Sequence, residues 1–128
     1  MDTRNNGAKE EVLEIRKETF FTGEGSYRQV RYCQGAREVA NELYDKNGHL
    51  LRKTGVIPDG VVKEYYGNGT LKGETAFKDG SANGRGVNYY PGGEIFEENT
   101  FKQGCLHGPS RTYRRDGLTW IESSYRDG

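Results

Sequence analysis

The stretch GRGVNYYPGGEIFEENTFKQGCLHG, Gly84 to Gly108, reads as one complete structural unit. Arg85 to Tyr90 has the length and composition of a short strand. Pro91-Gly92-Gly93 is a turn, because Pro presets one corner and Gly supplies positive φ. Glu94 to Phe101 is a second strand, and Lys102-Gln103-Gly104 begins the return. The unit is therefore a β-hairpin with a lead into the next one.

The same unit recurs on both sides. Gly60, Gly84 and Gly108 are 24 residues apart, as are Gly69, Gly93 and Gly117, and also Gly80, Gly104 and Gly128. Aromatic columns keep the same step: Tyr65, Tyr89 and Tyr113, and Phe77, Phe101 and Tyr125. A fixed period of this length is the mark of a repeat architecture, in which each unit buries its apolar side only against its neighbours. Upstream, Tyr44 and Gly48 precede Tyr65 and Gly69 by 21 residues, so one link is shortened. Pro58-Asp59-Gly60 reads there as a tighter turn, and Val56 takes the slot of Phe77. Asn47-Gly48, Asn68-Gly69 and Asp116-Gly117 hold the hairpin turn in the other units, with the strongest short-range hairpin signal.

The expected fold is all-β, an elongated antiparallel meander of consecutive hairpins with a period of about 24 residues. The chain is read as one domain over 1–128. It has a degenerate unit at 1–31, a shortened repeat at 32–59 and clear repeats at 60–83, 84–107 and 108–128. Because side chains alternate across a strand, Leu71, Gly73, Thr75 and Phe77 should share a face with Ile95, Glu97, Asn99 and Phe101. Thr119, Ile121, Ser123 and Tyr125 should share it too. Two segments also carry helical spacing. Ala36, Val39, Ala40 and Leu43 fit a helix, but the repeat register makes them a strand leading to Tyr44. Glu10 to Phe21 fits either an amphipathic helix or a strand, and the strand is preferred.

Composition agrees with a thin sheet. Only 32% of residues are hydrophobic, against 19 Gly and nine Tyr. The 19 basic and 19 acidic residues cancel, which argues against a general nucleic-acid binder. No run is long and apolar enough to span a membrane. The polar start, Met1 to Lys9, lacks the apolar core of a signal peptide, so a cytoplasmic location is expected. Cys33 and Cys105 have neither metal nor redox spacing. They read as two free thiols, with a disulfide as the alternative.

With glycines and aromatics in these columns, the chain resembles the MORN-type repeat, in particular its shorter bacterial variant. The resemblance is carried by Gly60, Tyr65-Tyr66, Asn68-Gly69, Leu71, Phe77 and Gly80, then by Gly84 through Gly104 and Gly108 through Gly128. It covers roughly residues 32 to 128. Val39 stands where the glycine column would continue, Val56 replaces an aromatic, and Thr119 replaces Leu or Ile. The resemblance implies hairpin arrays that act as interaction scaffolds. Some bacterial members are of antitoxin or immunity type, and eukaryotic relatives are linked to membrane junctions and phosphoinositides.

No catalytic, cofactor-binding or metal site is expected. His49 and His107 read as turn residues. Glu97 and Glu98 point to opposite faces, so they are not a close carboxylate pair. Gly84-Arg85-Gly86 lacks the strand-to-helix setting of a phosphate loop. The candidate partner-binding residues are Tyr66, Tyr90, Phe96 and Trp120, which lie outside the main aromatic columns, with Arg114 and Arg115. Exposed Tyr and Trp are favoured anchors for a protein partner. The partner expected is another protein, with an end strand open for pairing or homodimerisation. The alternative is an anionic membrane surface. It requires Arg28, Arg31, Arg111, Arg114 and Arg115 to converge on one patch. A small hydrolase is a third reading, and it requires a pocket holding His107 or His49 with a carboxylate.

Overall fold

The computed structural model describes residues 14–127. It forms one ten-stranded sheet, with no helix among the described residues. The strands are β1 Ile15–Thr22, β2 Tyr27–Gln34, β3 Arg37–Asp45, β4 Leu50–Gly55, β5 Gly60–Tyr65, β6 Leu71–Lys78, β7 Ser81–Tyr89, β8 Ile95–Lys102, β9 Cys105–Tyr113 and β10 Thr119–Tyr125. The all-β hairpin array expected from the repeats is present. Both segments with helical spacing are strands where described: Ala36 turns into β3, and β1 takes Ile15 to Phe21. Residues 10–13 of the Glu10 to Phe21 reading lie outside the described residues.

The face assignments follow from the register. Gly73, Asn88, Glu97, Thr112 and Ile121 form one cross-strand row, and Thr75, Gly86, Asn99, Ser110 and Ser123 form the next. The paired columns of the sequence also explain each other. Phe77 lies opposite Gly60, Phe101 opposite Gly84 and Tyr125 opposite Gly108. A ring in one strand therefore meets a residue without a side chain in the next. The Phe101 ring also covers Gly86, where an added Cβ would come within 2.8 Å of it. The Gly84-Arg85-Gly86 glycines are thus packing glycines.

Two kinds of turn alternate. At one end of the sheet the loops 66–69, 90–93 and 114–117 close with paired backbone bonds, such as Tyr66 N–H to Thr70 O at 2.8 Å and Gly69 N–H to Tyr66 O at 2.9 Å. At the other end, Asp79-Gly80 and Gln103-Gly104 are two-residue turns with both φ positive (54° and 83°, 52° and 87°). That is the type I′ turn, which matches the twist of the flanking strands. Asn-Gly and Asp-Gly at 68–69 and 116–117 thus sit in the longer loops, and the tight turns lie one strand later. Gln103 is the poorest fit among them, since Asn and Asp tolerate this conformation better. Gln103→Asn is expected to raise thermal stability by about 0.5 kcal/mol, read as an upward shift of the melting midpoint; a fall would contradict the turn assignment.

The strand order is β10-β9-β8-β7-β6-β5-β1-β2-β3-β4. Every neighbouring pair is antiparallel except β1 and β5, which run parallel with Ile15 opposite Val62 and Lys17 opposite Glu64. The sequence reading of Pro58-Asp59-Gly60 as a tighter turn does not anticipate this. The register puts Gly55 level with Ala40, Tyr32 and Lys17, four strands away from Glu64. On a flat sheet Gly55 and Gly60 would be about 23 Å apart, whereas five extended residues reach at most about 18 Å. The block β1–β4 must therefore curl.

The curl creates the core. Ile57, in the crossing link, is buried with Ile15, Val30, Tyr32, Ala40 and Val62, and Val39, Tyr44 and Phe77 pack against them. Beyond this block Val87 is the one further buried apolar side chain among the described residues. The repeats themselves are a thin layer held by backbone pairing and side-chain ladders.

Candidate functional site

Two tyrosine columns organise the repeat half: Tyr65, Tyr89 and Tyr113, then Tyr66 and Tyr90. Tyr89 donates its hydroxyl to Glu74 at 3.1 Å, and Tyr113 donates to Glu98 of the unit before it. Tyr65 finds its carboxylate at Glu14, 2.9 Å away, because β5 neighbours β1 and not the preceding strand. The Tyr113 hydroxyl, with Arg85 beside it, holds the Glu98 carboxyl below the usual range. Burial, then the Glu74 carboxylate, pushes the Tyr89 hydroxyl up. Tyr44 departs from the column. It packs against the core and donates to Glu42 at 2.9 Å.

Tyr66 and Tyr90 do a second job. Each follows a repeat strand and donates its hydroxyl to the backbone carbonyl of the next unit: Tyr66 to Tyr89 O at 2.6 Å, and Tyr90 to Tyr113 O at 2.8 Å. Both are half-buried. Arg114 occupies the same position in the third unit.

These residues lie along one end of the sheet beside the six-residue-later column of Lys72, Phe96 and Trp120. The Lys72 ammonium lies 5.7 Å from the Tyr66 ring centre. The Tyr90 and Phe96 rings are 5.1 Å apart and tilted. The Arg115 guanidinium lies 5.0 Å from the Tyr90 ring centre. Phe96 is 38% exposed and Trp120 65%, with Leu118 beside it at 61%. Arg114 is paired to Asp116 at 3.6 Å. Tyr66 thus contacts Lys72, and Tyr90 contacts Phe96 and Arg115, while Arg114 and Trp120 hold the equivalent positions of the third unit. Phe96 and Trp120 present free ring surface, while the Tyr66 and Tyr90 hydroxyls are engaged within the sheet.

The arginines of the membrane reading do not converge. Arg28 and Arg31 are on β2, Arg111 is on β9, and six strand spacings, about 29 Å in a flat sheet, separate those strands. Arg31 is bound to Glu38 at 2.9 Å and Arg111 to Glu122 at 2.8 Å.

The histidines have structural surroundings. His107 Nδ1 accepts the Asp127 N–H at 3.2 Å. Asp59 accepts the Asp79 N–H at 2.9 Å, and Asn83 accepts the Gln103 N–H at 3.3 Å. Residues 59, 83 and 107 are thus one column that ties each tight turn to the unit before it. The sequence carried this as a 24-residue column of short polar side chains, but their identities differ. His49 sits 3.3 Å from the Asp45 carboxylate in a loop. Backbone N–H groups of His49 and then Asn47 hold that carboxyl below its usual value. Cys33 and Cys105 are both free thiols.

A concavity of about 690 Å³ opens on the curled block between β1, β2, β3 and β5. Thr19, Arg28, Tyr32, Glu42, Tyr44 and Glu64 line it, and neither histidine does. Among the described residues no helix is long and apolar enough to cross a membrane, and no cluster of three metal-ligating side chains occurs.

Comparison with curated proteins and with solved structures gives no match. Residues 58–79, which span the crossing link, β5, its loop and β6, match the family model described as MORN repeat variant. That match covers one repeat unit of the chain and agrees there with the resemblance read from the sequence.

Proposed function

We propose that the protein is a non-catalytic interaction module that binds another protein through the ridge formed by Tyr66, Tyr90, Phe96, Trp120, Arg114 and Arg115. An antitoxin or immunity-type role toward a partner protein is the specific form of this reading, in the cytoplasm. The observation that carries it is the placement of Phe96 and Trp120. They stand exposed at equivalent repeat positions two strands apart, beside a frame of inter-repeat bonds. Aromatic side chains fixed in this way lose little conformational freedom on docking and can bury large areas. The flanking Arg114 and Arg115 supply a polar rim.

Paired affinity capture from an extract of the source cells tests this at physiological salt. The baits are the wild-type chain and the Phe96→Ser/Trp120→Ser variant. A stoichiometric protein should be held by the first and lost from the second. The same proteins on both baits, or none on either, would contradict the ridge. Retention of anionic lipid in place of protein would turn the reading to the membrane alternative.

A further inference from the structure

The concavity of the curled block is only half filled. Ile57 plugs the end beside Ile15, Ala40 and Val62. At the other end, beside Phe21, Tyr44 and Thr19, the cleft stays open to solvent. Its volume, about 690 Å³, falls within the roughly 300–1,000 Å³ of ligand sites.

Arg28 is the unexplained residue of that cleft. Its guanidinium carbon lies 4.4 Å from the centre of the Tyr44 ring. Its Nε is shielded from solvent and has no hydrogen-bond partner. Among the described residues it enters no ion pair, whereas Arg16, Lys17 and Lys72 of the same lining are each within 4.0 Å of a carboxylate. What sets Arg28 apart is that its Nε is the one buried side-chain polar atom without a hydrogen-bond partner among the described residues, and a shielded N–H left unmade costs free energy. Its position is nonetheless fixed. Tyr44 supports one side of the group, and the Tyr44 hydroxyl is tethered to Glu42 at 2.9 Å. Tyr32 donates to the same Glu42 oxygen at 3.4 Å. Glu42 thereby holds a two-tyrosine floor, and that floor holds the arginine.

We propose that this cleft binds an extended acidic peptide segment, with a Glu or Asp carboxylate seated on the Arg28 guanidinium. A planar two-oxygen anion fits the fork of a stacked guanidinium and can take two parallel hydrogen bonds. The apolar and aromatic lining of Phe21, Val30, Tyr32 and Tyr44 takes the neighbouring parts of the peptide. A singly charged carboxylate suits the site better than a phosphate dianion, because Glu42 and Glu64 face the same cleft. The cleft meets the ridge at Tyr66 and Lys72, whereas Arg28 and its two-tyrosine floor belong to the cleft alone.

The test is a backbone-amide NMR titration of the full chain. The probes are an acetylated, amidated hexapeptide carrying two Glu residues, its Gln counterpart, inorganic phosphate and vesicles containing phosphatidylserine. The Glu peptide should give saturable shifts in residues 19–21, 28–32 and 42–44, weakening as salt is raised. The Gln peptide, and the Glu peptide on Arg28→Met, should bind about tenfold more weakly or worse, and Arg28→Lys should lie between, because it keeps charge but loses the fork. Wild-type spectra outside the cleft verify that each variant is folded. If Arg28→Met is not folded, Arg28→Lys carries the comparison. The Phe96→Ser/Trp120→Ser variant should bind the peptide as wild type does, which separates this site from the ridge. Equal binding of Glu and Gln peptides, an unchanged Arg28 variant, or stronger binding of phosphate or vesicles than of the Glu peptide would overturn the proposal.

Discussion

Gly55→Ala should cost at least ~3 kcal/mol, a large share of a total stability on the order of 5–15 kcal/mol for a domain of this kind. Gly55 ends β4 with a φ of 75°. A Cβ there would lie 2.1 Å from the Val39 carbonyl oxygen and 3.0 Å from the Ala40 Cα. Both obstacles are backbone atoms of a paired strand, so no side chain can swing aside. Two penalties add: an L-residue in the left-handed region, and a contact that forces β3 and β4 apart. That separation acts where the chain must turn sharply enough to reach β5. Gly67→Ala is the matched control, since an added Cβ there meets nothing within 4 Å. It should change stability by no more than about 1 kcal/mol. Denaturant unfolding of both variants checks this; equal destabilisation would show that the crossing does not depend on the close approach at Gly55.

Ile57→Ala should cost about 2–5 kcal/mol, the range for emptying a well-packed site. Ile57 is 3% exposed, although it lies in a four-residue link between strands. It is the plug around which β1, β2, β3 and β5 curl. The neighbouring Val56 is 67% exposed, so Val56→Ala should be near neutral. The repeats β6–β10 add only Val87 to the buried apolar set among the described residues. Loss of the plug should therefore lower the unfolding midpoint of the whole sheet, followed by tyrosine fluorescence and far-ultraviolet circular dichroism. Similar effects at Val56 and Ile57 would contradict the crossing link as the seat of the core.

The repeat half was legible in the sequence because its information is local and periodic. Gly60, Gly84 and Gly108 recur with Phe77, Phe101 and Tyr125 because each ring lies across from a bare glycine. The alternation of Ile95, Glu97, Asn99 and Phe101 carries straight into the observed faces. The parallel pairing of β1 with β5 was not legible. Val56 to Asp59 has the length of a hairpin turn, and nothing within it separates a turn from a crossing. The choice is made by burial of Ile57 against residues as distant as Ile15 and Val30. The displacement of Tyr44 has the same origin. The curl turns it inward, away from the column of Tyr65, Tyr89 and Tyr113, toward Glu42 and Arg28.

Tyr66, Tyr90, Phe96 and Trp120 fall outside the main columns of the sequence; in the structure the Tyr90 and Phe96 rings touch, and Phe96 and Trp120 are exposed. Their division of labour was not visible. A tyrosine that donates to the next unit's carbonyl and a tyrosine awaiting a partner have the same letter and the same spacing. The signal was present only as the pair Tyr66 and Tyr90, one period apart, followed by Arg114 in the unit that has no further carbonyl to reach among the described residues. Arg28 enters the sequence reading as one of the five arginines of the membrane alternative. Its shielded, unpartnered Nε is a three-dimensional fact that no local pattern carries.

Hydrogen exchange of the wild-type chain, alone and with the protein retained in the paired capture, tests the ridge most directly. Protection should concentrate at residues 66–72, 90–96 and 114–120 and be lost with Phe96→Ser/Trp120→Ser. Protection confined to the outer edges of β4 or β10, with the ridge amides exchanging as in the free chain, would contradict it.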